Sequence, residues 1–163
     1  MKIKVHEIID LSNKISENYE NLNLLQGPKF LYVISENIKL LNDEIIKLNK
    51  LIKGSDRYNE YQDKRISTCI KYSRKNEEGS PKMVINNGIE EFDIDQTEEF
   101  TAEIKKLQAE YKEEIDEFME QVRTYNNRLE EEIDINFKTI SIDDIPENIN
   151  FELMSVVTRF IEN

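Results

Sequence analysis

The sequence predicts an α+β protein that is mostly α, built on a long antiparallel two-helix arm with a β-hairpin at its tip and a small mixed base. Two long apolar stripes at helical spacing support the arm, and an Asn-Gly pair between apolar runs supports the hairpin. At 163 residues the chain has the length of a single domain and buries a real core. With 38% apolar and 34% charged residues, it suits a helical protein with much surface per unit of core.

In residues 1–27, the alternation Met1-Lys2-Ile3-Lys4-Val5 predicts a short strand, and Ile8, Leu11, Ile15, Tyr19 and Leu22 then follow as one helix. Gln26-Gly27-Pro28 stops it, and Pro28 suits the first turn of the next helix. Residues 28–75 form the first arm helix, with Phe30, Ile34, Ile38, Leu41, Ile45, Leu48 and Ile52 as its stripe. Gly54-Ser55-Asp56 marks a break or kink, and Tyr58, Tyr61, Cys69 and Tyr72 follow it. Residues 76–95 hold the hairpin around Asn86-Asn87-Gly88, and Asp95 with Glu98 three residues on reads as a capping box for the next helix.

The second arm helix occupies residues 96–132 and is expected to be continuous from about 97 to 131. Its stripe is Phe100, Ile104, Leu107, Tyr111, Ile115, Phe118, Val122, Tyr125, Leu129 and Ile133, nine steps over 33 residues. That period of 3.67 predicts a nearly straight stripe, about 52 Å long at 1.5 Å per residue. Such a stripe needs a partner, and the stripe beginning at Phe30 has the same period. Residues 133–163 close the chain with the strand pattern Ile133 to Phe137, a turn at Ile145-Pro146 and a helix carrying Phe151, Met154, Val157, Phe160 and Ile161.

The charge is not spread evenly. Residues 90–134 contain 17 acids and five bases, which accounts for the whole net charge of −12; the other 118 residues hold 17 of each sign. One flank of the long helix collects Glu99, Glu103, Glu110, Glu114 and Glu117, with four like-charge pairs at i,i+4 in the same helix: Glu99/Glu103, Glu110/Glu114, Glu113/Glu117 and Asp116/Glu120. Each such pair costs an isolated helix about 0.2–0.5 kcal/mol. The flank is therefore either a recognition ridge for a basic partner or a solvated face that confers solubility. Glu99, Glu103, Glu110, Glu114 and Glu117 are the candidate partner-binding residues.

Other chemistry finds little support in the residues. The acidic balance argues against direct binding of nucleic acid or of an anionic membrane, and no apolar run approaches the ~18 residues that span a bilayer. One cysteine, Cys69, excludes an internal disulfide and fits a reducing cytoplasm. It reads as a buried structural thiol rather than a nucleophile paired with His6, which itself reads as a helix-start residue. A single histidine is too few for a di-iron bundle, and Asp93-Ile94-Asp95 lacks the Gly and terminal Glu of a calcium loop. No phosphate loop or nucleophile elbow is present. No catalytic residue, metal ligand or cofactor is expected. Tyr58, Tyr61 and Tyr72 either form an exposed row or pack against Phe118 or Tyr125.

Several segments together carry a resemblance: Lys29-Phe30-Leu31-Tyr32-Val33-Ile34-Ser35-Glu36-Asn37-Ile38, the turn Asn76-Glu77-Glu78-Gly79, and Leu129-Glu130-Glu131-Glu132-Ile133-Asp134-Ile135 followed by Ile145-Pro146. Their order resembles a widespread group of small, functionally unassigned phage and prophage proteins of Gram-positive bacteria. The resemblance implies expression in an infected cell and a role through contact with a host or phage protein. The expected function is a non-enzymatic accessory protein that inhibits or modulates a basic host nucleic-acid-binding or defence protein through its acidic helix. A virion-assembly chaperone or scaffold is the alternative, a small hydrolase a remote third, and a homodimer through the arm is a further expectation.

Overall fold

The computed structural model describes residues 1–95 and 97–162. In chain order the elements are β1 (Lys2–Lys4), α1 (Val5–Glu17), α2 (Tyr19–Leu24), α3 (Pro28–Asn49), α4 (Asp56–Tyr72), β2 (Met83–Asn86), β3 (Ile89–Phe92), α5 (Glu98–Glu110), α6 (Lys112–Glu130), β4 (Glu132–Asp134) and α7 (Phe151–Val157). The protein is α+β and mostly α, with two antiparallel sheets of two strands each. The contacts divide the chain into two compact units, residues 1–52 with 122–163, and residues 53–121.

The first unit holds the larger core. Ile8, Leu11 and Ile15 of α1, Phe30, Val33, Ile34 and Leu41 of α3, and Leu153, Val156 and Val157 of α7 are all buried in one cluster. Over Phe30 to Leu41 the stripe is covered by α1 and α7, while at its far end Leu48, with Leu51, lines a pocket with Thr124 and Arg128 of α6, the acidic helix expected beside it. The short Leu25-Gln26-Gly27 link folds α3 back beside α1, whose own stripe needs cover. Gly27 makes the link possible, since its φ of 135° is one that a side chain rarely adopts. β1 pairs with β4 so that Ile3 meets Ile133 while Lys2 and Lys4 face Asp134 and Glu132. The opposite charges on that outer face favour the register.

Two helix boundaries differ from expectation in this unit. The first helix stops at Asn18, which leaves the helical region (φ −101°, ψ 13°), and α2 starts afresh. Asn18 is buried there, bonding the Lys14 carbonyl and accepting from Asn150. Tyr19, assigned to the stripe, is exposed in consequence. α3 ends at Asn49, so the 28–75 helix is fully broken; Ser55 opens α4 by accepting from the Tyr58 N–H at 3.1 Å.

The second unit is an antiparallel pairing of α4 with α5 and the first turns of α6, closed by the hairpin. Tyr72 meets Phe100 edge-on, Tyr61 lies 5.8 Å from Tyr111, and Tyr58 stacks on Phe118 at 4.0 Å. The tyrosines are therefore interior packing residues and not an exposed row. The hairpin turns at Asn87-Gly88, both with positive φ (51° and 80°), as a right-twisted two-residue turn demands. Residues 73–75 brace its base, with Arg74 bonding Asp93 and Lys82 through its backbone.

The long acidic helix is not continuous. Tyr111 sits at φ −110°, ψ 25° and divides it into α5 and α6, although i→i−4 bonds reach Tyr111 from Ile115 and leave it for Leu107. The departure falls at the most deeply buried side chain of the unit, where the Tyr111 ring lies beside Tyr61 and its hydroxyl is held by Lys64. The start of α5 is also capped differently. Thr97, not Asp95, accepts from the N–H three residues on, that of Phe100, at 3.1 Å.

Candidate functional site

The five candidate glutamates lie on α5 and α6, and the structure sorts them into two sets. Glu103, Glu110 and Glu114 meet bases of α4. Lys71 Nζ donates to Glu103 at 2.7 Å and Arg57 Nε to Glu114 at 2.7 Å, while Lys64 Nζ lies 3.7 Å from Glu110. Arg57, Lys64 and Lys71 recur every seven residues, two helical turns apart, and so occupy one face of α4. Glu99 and Glu117 are exposed, and among the described residues neither has an ion-pair partner. Sequence reasoning missed the α4 ladder, although the seven-residue spacing of its bases was there to be read.

The ladder alters protonation. Hydrogen bonds from Lys71 and then Tyr72 hold the Glu103 carboxyl below the usual range. The Glu114 carboxyl is likewise lowered, first by its own backbone N–H and then by Arg57. Lys64 is raised, chiefly by its bond to Glu60 and then by the Tyr111 hydroxyl, which accepts from it at 2.5 Å. At the hairpin base Lys82, 2.9 Å away, lowers the Asp93 carboxyl, and Arg74 adds to it. Asp93 is thus committed to a brace. Among the described residues no group of three or more His, Cys, Asp or Glu is placed to hold a metal ion.

Of the four like-charge pairs at i,i+4, Glu110/Glu114 has both members matched by α4. Glu103 of the first pair is matched, and Asp116 of the last bonds Lys112 at 2.7 Å. Among the described residues, only Glu113/Glu117 keeps both carboxylates exposed without an ion pair. Glu98 and Glu99 on the first turn of α5 are exposed as well and have no ion pair among the described residues, but there the helix N-terminus favours negative charge.

A second feature of this unit was not anticipated. Cys69 is half-buried, not buried as expected, and lines a groove of about 570 Å³ between α4 and the hairpin. Ile66, Met83, Val84, Ile89 and Phe92 line the groove together with Arg65, Glu90 and Glu91. The spacing Ile66, Cys69, Ile70 is a second apolar stripe on α4, separate from the tyrosine stripe that meets α5.

His6 belongs to the first unit and Cys69 to the second. His6 Nδ1 lies 3.2 Å from the Leu129 carbonyl oxygen and 3.8 Å from Glu130, in the first turn of α1 as expected. No described helix is long and apolar enough to cross a membrane. No protein-family model matches the chain, nor does any curated protein or solved structure.

Proposed function

We propose that this chain acts without catalysis, as a phage-encoded accessory protein that binds a basic host protein and inhibits or modulates it. A protein that normally engages nucleic acid, or one of the host's defences, fits the chemistry best, because its surface is built to accept a row of negative charges. The observation that carries the reading is the set Glu98, Glu99, Glu113 and Glu117, which stays exposed and, among the described residues, without an ion pair after α4 has matched the acids facing it. Glu103 and Glu114 move from recognition to internal bracing. Glu110 is exposed but 3.7 Å from Lys64, and it contributes to both.

The test is a pull-down of tagged wild type and of E98Q/E99Q/E113Q/E117Q from host cells, washed at ~50 mM and ~500 mM NaCl. A basic protein held by wild type at low salt, released at high salt and missed by the variant supports the reading. Equal retention of the same partner by the variant overturns it.

A further inference from the structure

We propose that the outer edge of β3 takes up an extended, basic segment of a partner protein as an added strand. The inference goes beyond the acidic-helix reading, since it uses other residues and stands if that reading fails.

The backbone supplies the edge. Asn86 lies opposite Ile89 across the two-residue turn, so the antiparallel ladder exchanges its hydrogen bonds at 86/89 and 84/91. Glu90 and Phe92 therefore turn their N–H and C=O groups away from β2. Ile94 continues the series, because Asp93 and Asp95 on either side of it bond inward, to Lys82, Arg74 and Tyr72. Among the described residues nothing bonds the outward backbone groups of Glu90, Phe92 or Ile94. Those three residues present an open edge about 13 Å long at ~3.3 Å per residue.

Charge selects the occupant. Neighbouring residues of a strand point to opposite faces, so Glu90 and Glu91 flank this edge on its two sides. Both are exposed and, among the described residues, without an ion pair, because Lys82 and Arg74 are taken by Asp93 and Asp95. Arg65, which lines the same groove, bonds Gln62 at 3.1 Å. A strand laid along the edge alternates in the same way, so two adjacent lysines or arginines set one cation beside each carboxylate. A second copy of β3 would bring like charges together, which opposes self-pairing. Charged edges block their own kind; an all-negative edge does not block a basic strand.

The groove beside α4 gives the added strand a seat. A groove against one face of β3 takes alternate residues, whereas this one is lined by all six from Ile89 to Ile94 and so reaches the edge. Ile66, 42% exposed, and Cys69 line it from α4 and offer apolar contact to side chains that point inward. Main-chain bonds then give affinity, and the carboxylates and groove give selectivity.

The probe is a capped peptide of about eight residues, valine and threonine with two adjacent lysines at the centre, titrated into the isotope-labelled full chain. Saturable binding is expected, with slowed amide exchange at Glu90, Phe92 and Ile94. E90K/E91K should weaken it about tenfold or more with an unchanged circular dichroism spectrum, and E90Q/E91Q should weaken it less. N-methylation of one alternate set of peptide amides should abolish binding, and methylation of the other set should not. E98Q/E99Q/E113Q/E117Q should bind the peptide as wild type does, which separates this site from the acidic helices. No saturation by ~1 mM peptide, equal affinity in E90K/E91K, or indifference to which amides are methylated overturns the proposal. Loss of binding in the quadruple variant overturns it too, by assigning the peptide to α5 and α6.

Discussion

The side-chain amide of Asn37 grips Lys138 by both backbone groups: its Nδ2 donates to the Lys138 carbonyl at 2.9 Å, and its Oδ1 accepts from the Lys138 N–H at 2.8 Å. Asn37 is fully buried on α3, one turn from Ile34 and Leu41, where an apolar residue would ordinarily sit. It takes the place of a neighbouring strand for residues 135–140, which carry the buried Ile135 and Ile140. Asn37→Leu is shape-conserving but leaves the two Lys138 groups without these partners, at about 1–3 kcal/mol for each group left buried. Urea unfolding of the variant should show a loss of about 2–4 kcal/mol; a loss under ~0.5 kcal/mol would mean that water replaces the amide.

Tyr111 should be the anchor of the second unit. Its ring is 1% exposed, lies against Tyr61 and has Arg57 5.0 Å from its centre. Tyr111→Ala removes a buried aromatic, a change that costs about 3–5 kcal/mol. Tyr111→Phe loses only the hydroxyl that Lys64 reaches, so a cost of about 1 kcal/mol is expected. Hydrogen exchange should show fast amides in α4 and α5 for the alanine variant and near-native protection for the phenylalanine one. Equal exchange in the two would dismiss packing as the reason for the bend.

Much of this fold is local and so was legible. Asn87-Gly88 names its own turn, because few other pairs accept two positive φ angles in succession. The helix at Pro28, the end near Gly54 and the strands at Ile3 and Ile133 follow from spacing and breakers alone. Pairing was not legible, since a stripe states that it needs cover and not which stripe supplies it. The Phe30 stripe takes two covers: α1 and α7 over its first half, to which the short link at Gly27 returns it, and α6 near Leu48. The acid excess was no better guide. Counting acids along one segment hid Arg57, Lys64 and Lys71, which are distant in sequence and adjacent in space.

Acid should loosen the α4–α5 ladder and the hairpin base. Glu103, Glu114 and Asp93 have folded pKa values below their ordinary ones, so the unfolded chain binds protons first as pH falls. The stability they lend is full above about pH 5 and is lost as pH drops through the lowered folded values. Melting temperature should therefore fall between about pH 5 and pH 3, and less steeply in K71M/K82M, which lacks two of the causes. Parallel profiles for wild type and variant would reject this account.

The two sets of glutamates should separate under neutralisation. E103Q/E114Q removes the charges that Lys71 and Arg57 meet, so the melting temperature should drop. E113Q/E117Q removes an uncompensated like-charge pair worth about 0.2–0.5 kcal/mol of repulsion, so stability should stay level or rise slightly. Binding of a basic partner should follow the opposite order, weakened by E113Q/E117Q and little changed by E103Q/E114Q when measured well below the melting point. Salt sharpens the contrast, because exposed charges a Debye length apart, about 10 Å at 0.1 M, are the ones it screens. Both effects in the same variant pair would mean that recognition and bracing share one face, and the division drawn by α4 would then be wrong.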